Sequence, residues 1–284
     1  MTSPAPQDLV VTRATPDDWP VIVDWAADEG WNPGLSDTTA YFAQDPDGFF
    51  VGRIDGEPVS AVSVVNYDAD YAFLGWYLVR PDLRGQGHGL TTWKTALAHA
   101  GNRTVGLDGV VAEQDNYRQS GFELAYRTAR FVGEAPAAGI PAGVRPAGPA
   151  DLAAITAYDS ACCPADRPRF VAAWLTGTGH RALVRHDGDR LTGYGVIRPG
   201  RDTLRIGPLF ADTAEDARAL FTGLTAEAAG DRVAIDVPET STAGVALAEA
   251  AGFSPSFETA RMYTGPVRDH ARDRVFGVTT LELG

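Results

Sequence analysis

The sequence contains few of the features that mark secreted, membrane or metal-binding proteins. Among 284 residues there are two cysteines, Cys162 and Cys163. They are adjacent, and neighbouring cysteines rarely form a disulfide with each other. No CxxC pair or Cys/His cluster is present, so we expect no metal. No apolar run approaches the ~20 residues that span a bilayer, and the start lacks a basic segment followed by an apolar one. We therefore expect a cytoplasmic protein that does not associate with a membrane.

Positive charge is also scarce. The chain has 24 Lys and Arg against 37 Asp and Glu, a net charge of -13. This balance disfavours nucleic acid as a partner, because binding phosphates requires many Lys and Arg side chains. A cationic small molecule such as an amine would instead be attracted.

The two halves of the chain resemble each other at an offset of about 132 residues, which indicates a tandem duplication. Matching segments follow in the same order: 11–26 with 143–158, the Asp-Gly hairpins 49–65 with 180–197, 73–79 with 205–211, 105–110 with 233–238, and 121–133 with 252–265. In the last pair, Thr-Ala-Arg follows Gly-Phe at the same distance. Each half is predicted to run β-α-(α)-β-β-β-α-β-α-β, an α/β order with a partly parallel sheet.

The duplication predicts a domain boundary near the middle of the chain. We place an amino-terminal domain at 1–133, a linker rich in Pro, Ala and Gly at 134–143, and a carboxy-terminal domain at 144–284. The tail, VFGVTTLELG (275–284), is predicted to be one more strand because β-branched residues alternate in it. No counterpart of this tail is apparent in the first half.

A run of glycines, RGQGHG (84–89), joins an apolar strand to a predicted helix. The helix is predicted from Leu90, with Leu90, Trp93, Leu97 and Ala98 on one side. A glycine turn before a helix exposes backbone N–H groups at the positive end of the helix dipole, where phosphates bind well. Arg84 adds a cation. The spacing matches neither a P-loop nor the dinucleotide fingerprint, so a plain nucleotide binder is disfavoured.

Two motifs resemble those of the GNAT superfamily of N-acetyltransferases. VRPD followed by RGQGHG is similar to that family's acetyl-CoA diphosphate loop, Arg/Gln-x-x-Gly-x-Gly/Ala, which falls on Arg84, Gly87 and Gly89. EQDNYRQSGF (113–122) resembles the family's last helix, with Tyr117 four residues before Gly-Phe. DEGWNPG (28–34) and the closing FGVTTLELG resemble the tandem-GNAT subgroup, which acetylates amino sugars and amine-bearing natural products.

The resemblance implies a fold and an activity. We expect two tandem GNAT folds, each a mixed, mostly antiparallel twisted sheet flanked by helices, with acetyl-CoA as co-substrate. The expected acceptor is the primary amine of a small molecule, either an amino sugar such as glucosamine or an antibiotic or polyamine-type amine. The resemblance also implies that Tyr117 protonates the departing CoA thiolate. The predicted cofactor site comprises Leu78, Val79, Arg80, Arg84, Gly85, Gln86, Gly87, His88, Gly89 and Leu90.

The proton acceptor does not follow from the family pattern. Many members use a Glu on the strand before the glycine loop, but YAFLGWYLV (71–79) contains no carboxylate. The candidates are Glu29 and Asp108, with Asp28 as a weaker option and a chain of waters as the alternative. We favour Glu29, because Asp108 has the repeat partner Asp236 and this indicates a structural duty such as capping a helix. The predicted acceptor contacts are Glu29, Trp31 and Asn32.

The second half lacks the residues that would bind the cofactor. At the repeat offset, Arg84 corresponds to Asp216, and the three glycines to Ala217, Ala219 and Phe221. We expect this half to be structural and to wall the acceptor pocket. Two alternatives stay open: an acyl-CoA-binding regulator without turnover, and a protein or peptide N-acetyltransferase, which would need a more open cleft. A monomer and a homodimer are both compatible with the sequence.

Overall fold

The predicted order of strands and helices is present in both halves of the chain. The computed structural model describes residues 8–226 and 228–284, so the first seven residues of the predicted amino-terminal domain lie outside the described part. The first half contains β1 (Val10–Arg13), α1 (Trp19–Asp28), α2 (Asp37–Gln44), β2 (Phe49–Ile54), β3 (Glu57–Asn66), β4 (Tyr71–Val79), α3 (His88–Leu97), β5 (Thr104–Val110), α4 (Gln114–Gln119) and β6 (Glu123–Glu134).

The second half repeats this order. It contains β7 (Val144–Pro146), α5 (Leu152–Cys162), α6 (Pro168–Leu175), β8 (Arg181–Asp187), β9 (Arg190–Pro199), β10 (Leu204–Ala211), α7 (Ala214–Thr225), β11 (Arg232–Pro238), α8 (Thr242–Ala250) and β12 (Ser254–Tyr263), followed by β13 (Val275–Gly277). Within the described residues, no helix combines the length and the apolar character needed to cross a membrane.

Local sequence explains most of these elements, with two corrections. Asp55 and Gly56 have φ of +51° and +85°, which is what a two-residue hairpin turn between β2 and β3 requires. The helix α3 begins at His88 rather than Leu90, and Leu90 is 52% exposed. The tail forms a strand only over its first three residues, so the prediction of a strand along all of 275–284 is wrong.

The strands form one continuous sheet across both halves. Their order is β1-β2-β3-β4-β5-β12-β6-β11-β10-β9-β8-β7, with β13 paired to β10. The sheet is mostly antiparallel, and the parallel pairs are β4–β5 and β10–β11. The last strand of each half is exchanged, since β12 pairs with β5 and β6 pairs with β11. The two halves of the duplication are therefore joined by their own terminal strands.

Hydrophobic side chains divide between the two faces of this sheet. Successive residues of a strand point to opposite faces, and in β2 Phe49 belongs to one core and Phe50 to another. One face carries a core common to both halves, in which Trp19 of α1 and Trp174 of α6 take part. The other face carries separate cores under α3 and α4 and under α7 and α8.

A bulge interrupts the fourth strand of each half at the same repeat position. In β4 it lies between the pairs Ser63–Gly75 and Ala61–Leu78, and Trp76 has a φ of +52° there, which is unusual for a bulky residue. The corresponding bulge in β10 lies between Ile206 and Leu209. Beyond each bulge the parallel ladder ends, so that the two parallel strands diverge and leave a wedge between them.

Candidate active site

The wedge between β4 and β5 opens into a cavity of about 570 Å³, a size typical of small-molecule sites. Its walls include β4 from Gly75 to Val79, the end of β5, the glycine turn before α3, and Tyr117 of α4. The exchanged strands and the tail complete it, through Arg130, Phe257, Leu281 and Glu282. Both halves of the duplication therefore build this cavity.

The glycine turn presents backbone to the cavity. Gly85 and Gly87 have φ of +75° and +85°, a conformation that L side chains rarely adopt. Because α3 begins at His88, its first N–H groups have no partner within the helix and lie at the positive end of its dipole. A Cβ on Gly89 would lie 2.6 Å from Tyr77 Oη, so glycine also lets α3 approach β4. The turn is therefore shaped to hold an anion.

Most of the predicted cofactor residues line this cavity: Leu78, Val79, Arg84, Gly85, Gly87, His88, Gly89 and Leu90. Arg80 and Gln86 are not among the lining residues, and Arg80 Nε instead donates to Asp82 Oδ1 at 2.7 Å. Arg84 is about half exposed, at 49%. Its Nε donates to Val79 O at 3.0 Å, and its Nη2 forms an ion pair with Glu29.

Tyr117 of α4 lines the cavity and contacts α3. Its ring stacks on Trp93 with centroids 5.8 Å apart. A Cβ on Gly109 would lie 2.2 Å from that ring, so glycine is required there. Burial raises the pKa of Tyr117 well above its ordinary value, despite a hydrogen bond from the Val110 backbone. The hydroxyl therefore carries its proton at neutral pH.

The other predicted carboxylate, Asp108, has a structural partner. Arg261 of β12 donates to Asp108 Oδ2 at 2.5 Å, and Arg130 of β6 pairs with Asp236 at 2.7 Å. Both arginines end the Thr-Ala-Arg triplets, so the strand exchange explains why the triplets and the aspartates recur. Burial raises the pKa of Asp108 in spite of Arg261. The structural duty is thus an ion pair between halves, not a helix cap.

The predicted acceptor contacts separate in the structure. Glu29 and Trp31 line the cavity, whereas Asn32 is buried beside it and is not a lining residue. Asn32 Nδ2 donates to Thr203 Oγ1 at 2.7 Å, and Asn32 Oδ1 accepts from Asp202 N at 2.8 Å. These bonds fasten the 30–34 turn to the second half. We therefore leave Asn32 out of the proposed site.

One cavity residue, Glu282, is absent from the sequence predictions. It lies in the tail and is 4% exposed. Its Oε1 is 3.3 Å from Arg205 Nη1, and its Oε2 is buried with no hydrogen-bond partner among the described residues. A Cβ on Gly75 would come within 2.0 Å of Glu282 O, so the tail packs directly onto the bulge of β4. In the sequence, Glu282 is distinguished by its place in the tail, which has no counterpart in the first half.

The equivalent wedge of the second half is filled. The strand β13 pairs with β10 through Leu209–Gly277 and Phe210–Val275, and Val278 N donates to Asp236 O of β11 at 2.9 Å. A short piece of the tail therefore occupies the space between β10 and β11, where the first half has its cavity.

The first turn of α7 is also unsuited to an anion. Thr213 Oγ1 accepts a hydrogen bond from Asp216 N at 3.1 Å, and the Asp216 carboxylate pairs with Arg185. Ala217, Ala219 and Phe221 are buried. The chain itself thus supplies both the side-chain cap and the negative charge at this helix start, where the first half has bare backbone.

Two family models match separate segments of the chain. The model described as "Acetyltransferase (GNAT) family" matches residues 13–122, and that described as "Acetyltransferase (GNAT) domain" matches 155–277. The chain is 34% identical over 273 residues to a holothin acyltransferase of Pseudoalteromonas sp. (strain SANK 73390), covering 95% of this chain and 93% of that protein.

Two solved structures share the fold. A putative acetyltransferase from Pyrococcus horikoshii superposes with a TM-score of 0.83 at 23% identity, over 100% of this chain and 99% of the other. A tandem GNAT protein from the clavulanic acid biosynthesis pathway superposes with a TM-score of 0.63 at 16% identity, over 91% of this chain and 99% of the other. At these identities, the likeness speaks for the fold alone.

Proposed function

The chain belongs to the GNAT family of acyltransferases, in tandem form, and from this premise we propose that its first half transfers acetyl from acetyl-CoA to the primary amine of a small molecule. The observation that carries the proposal is the open wedge of the first half, which adjoins an anion-binding turn. The family binds acetyl-CoA, and the residues at this wedge fit that molecule's shape and charge.

In the proposal, the cofactor lies along the wedge. Its diphosphate oxygens accept hydrogen bonds from the backbone N–H groups of the glycine turn, and Arg84 supplies a cation. Its pantetheine arm runs between the diverging strands beside Leu78 and Val79. A backbone N–H of this segment would hold the thioester oxygen as negative charge develops on it. Divergence of β4 from β5 after Leu74–Leu107 supports this placement.

The proposed reaction is direct attack. The amine nitrogen bonds to the thioester carbonyl carbon, and the carbon–sulfur bond breaks. Tyr117 donates a proton to the departing thiolate and recovers one from solvent. Tyr117 lines the wedge and carries its proton at neutral pH, which supports this role.

The nitrogen must also lose a proton, and the two predicted acceptors are both held by arginines. Asp108 is fixed by Arg261 with its side chain fully buried. Glu29 is paired with Arg84, the residue proposed to bind the diphosphate. Acetyl-CoA would therefore compete for Arg84 and release Glu29, which makes Glu29 the better of the two candidates.

The second half closes the acceptor side of the cavity with Phe257, Thr259 and Leu281. This enclosure supports a small acceptor over a polypeptide. We accordingly propose that residues 1–133 form the cofactor-binding domain and that residues 134–143 form a linker. Residues 144–284 form a second domain that lines one wall of the acceptor pocket. Since a relative is named for holothin, holothin is the first acceptor to test.

The test is an acceptor panel of holothin, glucosamine, spermidine and tryptamine, each incubated with acetyl-CoA. We expect an acetylated amine and an equal amount of free CoA, both measured by mass spectrometry. Tyr117→Phe should lower kcat about 100-fold, the usual worth of a general acid, with an unchanged KM for acetyl-CoA. Tight binding of acetyl-CoA with no acetylation of any amine would favour the regulator instead.

A further inference from the structure

The carboxylates that line the cavity differ in what they contact. Glu29 and Asp108 are paired with Arg84 and Arg261, as described above. Glu113 is exposed and accepts from its helix neighbour Asn116. Glu282 stands apart, because its side chain is 4% exposed and its Oε2 lacks a partner in the part of the chain that the structure describes. A buried carboxylate oxygen left without a donor costs free energy, which a donor on a ligand would recover.

We propose that Glu282, supplied by the tail of the second half, accepts a hydrogen bond from the attacking nitrogen and then takes its proton. This inference rests on the proposed acetyl transfer. It assigns the proton acceptor to the half of the duplication that does not bind the cofactor.

The position of the tail supports the assignment. The backbone oxygen of Glu282 packs on Gly75, the residue before the bulge of β4. Leu78 and Val79, proposed to hold the thioester, follow three and four residues later on the same strand. Glu282 and its neighbour Leu281 line the same cavity as these residues. The Glu282 backbone therefore lies beside the segment proposed to hold the thioester, whereas Glu29 is paired with Arg84, which is proposed to bind the diphosphate.

The surrounding charges allow the Glu282 side chain to turn toward an acceptor. Its contact with Arg205 of β10 is long, at 3.3 Å. Arg205 keeps closer partners without it, namely Asp236 of β11 at 2.8 Å and the Asn32 backbone oxygen at 3.0 Å. The other ionisable groups that Glu282 influences are Asp108 of β5 and Tyr41 of α2. If Glu282 moves away from Arg205, the buried guanidinium of Arg205 therefore still has hydrogen-bond partners.

In the proposed step, Glu282 Oε2 takes one proton from the ammonium form of the bound amine. The neutral nitrogen that results forms its bond to the carbonyl carbon and releases a second proton to solvent. The electron pair of the broken carbon–sulfur bond leaves with the CoA sulfur, which Tyr117 protonates. Solvent then removes the proton from Glu282 and restores the one on Tyr117. The products are the acetamide and CoA, and no further reactant is needed.

The test compares Glu282→Gln with Glu29→Gln, using the panel amine that the wild type acetylates fastest. At neutral pH, Glu282→Gln should lower kcat/KM for the amine at least about 100-fold, with the KM for acetyl-CoA within about twofold. The deficit should shrink as pH rises toward the pKa of the amine, since the neutral amine depends less on a base. Glu282→Asp should recover part of the rate. Glu249→Gln, an exposed change on α8, should act like the wild type.

Three other results would overturn the inference. A large loss of kcat/KM in Glu29→Gln, with near-normal activity in Glu282→Gln, would assign the proton acceptor to Glu29. The proposed function would then remain intact. A Glu282→Gln deficit that is equal at all pH values and accompanied by a lower Tm would show a structural role. Failure of the wild type to acetylate any panel amine would contradict the proposed function, and the inference with it.

Discussion

The wedges of the two halves lie between corresponding strands, but the first wedge is open and the second is filled. In the first, β4 and β5 diverge around a cavity of about 570 Å³. In the second, β10 and β11 diverge around β13. A glycine is present at each bulge, and each one packs on the tail: Gly75 on Glu282 O and Gly207 on Thr279 O.

The comparison teaches that one segment can fill the wedge of one half and complete the cavity of the other. The tail that fills the second wedge continues to the first one, where it supplies Leu281 and Glu282. Because β6 and β12 are exchanged, each wedge is also bounded by a strand of the other half. The second half therefore acts as scaffold and wall for the first.

The largest expected effect concerns Asp236 and Asp108, the two aspartates that correspond in the repeat. Asp236 is buried between Arg130 and Arg205, which outweigh burial and lower its pKa to about 2. Asp236→Asn would leave two buried arginines without their carboxylate, and we expect a loss of about 3–5 kcal/mol in the free energy of unfolding at neutral pH. Chemical denaturation measures it. The matched change Asp108→Asn should cost less, because burial outweighs Arg261 and raises the pKa of Asp108.

The same comparison predicts a pH dependence. A folded-state pKa below the ordinary value of 3.8 means that the stability due to Asp236 is present above about pH 4 and disappears as pH falls toward 2. The difference in the free energy of unfolding between wild type and Asp236→Asn should therefore shrink as pH falls from about 4 toward 2. If the two aspartate variants lost the same free energy of unfolding at all pH values, the predicted difference between the halves would be contradicted.

Charge reversal at the glycine turn should have the next largest effect. Arg84→Glu removes a cation from the proposed diphosphate site and adds an anion beside Glu29, so we expect the KM for acetyl-CoA to rise about 100-fold, or about 2.7 kcal/mol. Steady-state kinetics at a saturating amine concentration measures it. Arg13→Glu, at an exposed pair with Asp47, is the control. An unchanged KM would remove the diphosphate role from Arg84.

The local parts of this fold could be predicted from sequence because short-range chemistry fixes them. Asp55-Gly56 specifies its turn without reference to the rest of the chain, and the run from Arg84 to Gly89 needs its glycines for their backbone conformation. These motifs placed the hairpin and the predicted cofactor turn where the structure has them. The repeat offset likewise gave the order of elements in both halves.

The long-range parts could not be predicted in the same way. The two Thr-Ala-Arg triplets are alike, so Arg130 and Arg261 are compatible with pairing inside or between the halves, and only the folded sheet shows the exchange. Glu282 reaches the cavity through irregular backbone after β13, where no periodicity marks the direction of side chains. Leu90 shares the helical spacing of the buried Trp93 but is exposed and lines the cavity, because helical spacing cannot distinguish a core from the rim of a cavity.

The smallest effect is expected from restoring an arginine to the second half. Asp216→Arg removes a partly buried ion pair with Arg185 and a hydrogen bond with Thr213, at a cost of about 1 kcal/mol in stability. It should not create a second acetyl-CoA site, because β13 still fills the wedge. Calorimetric titration should give one acetyl-CoA per chain for this variant and for the wild type. A second equivalent bound only by the variant would show that the charge at the turn, rather than the strand in the wedge, closes this half to the cofactor.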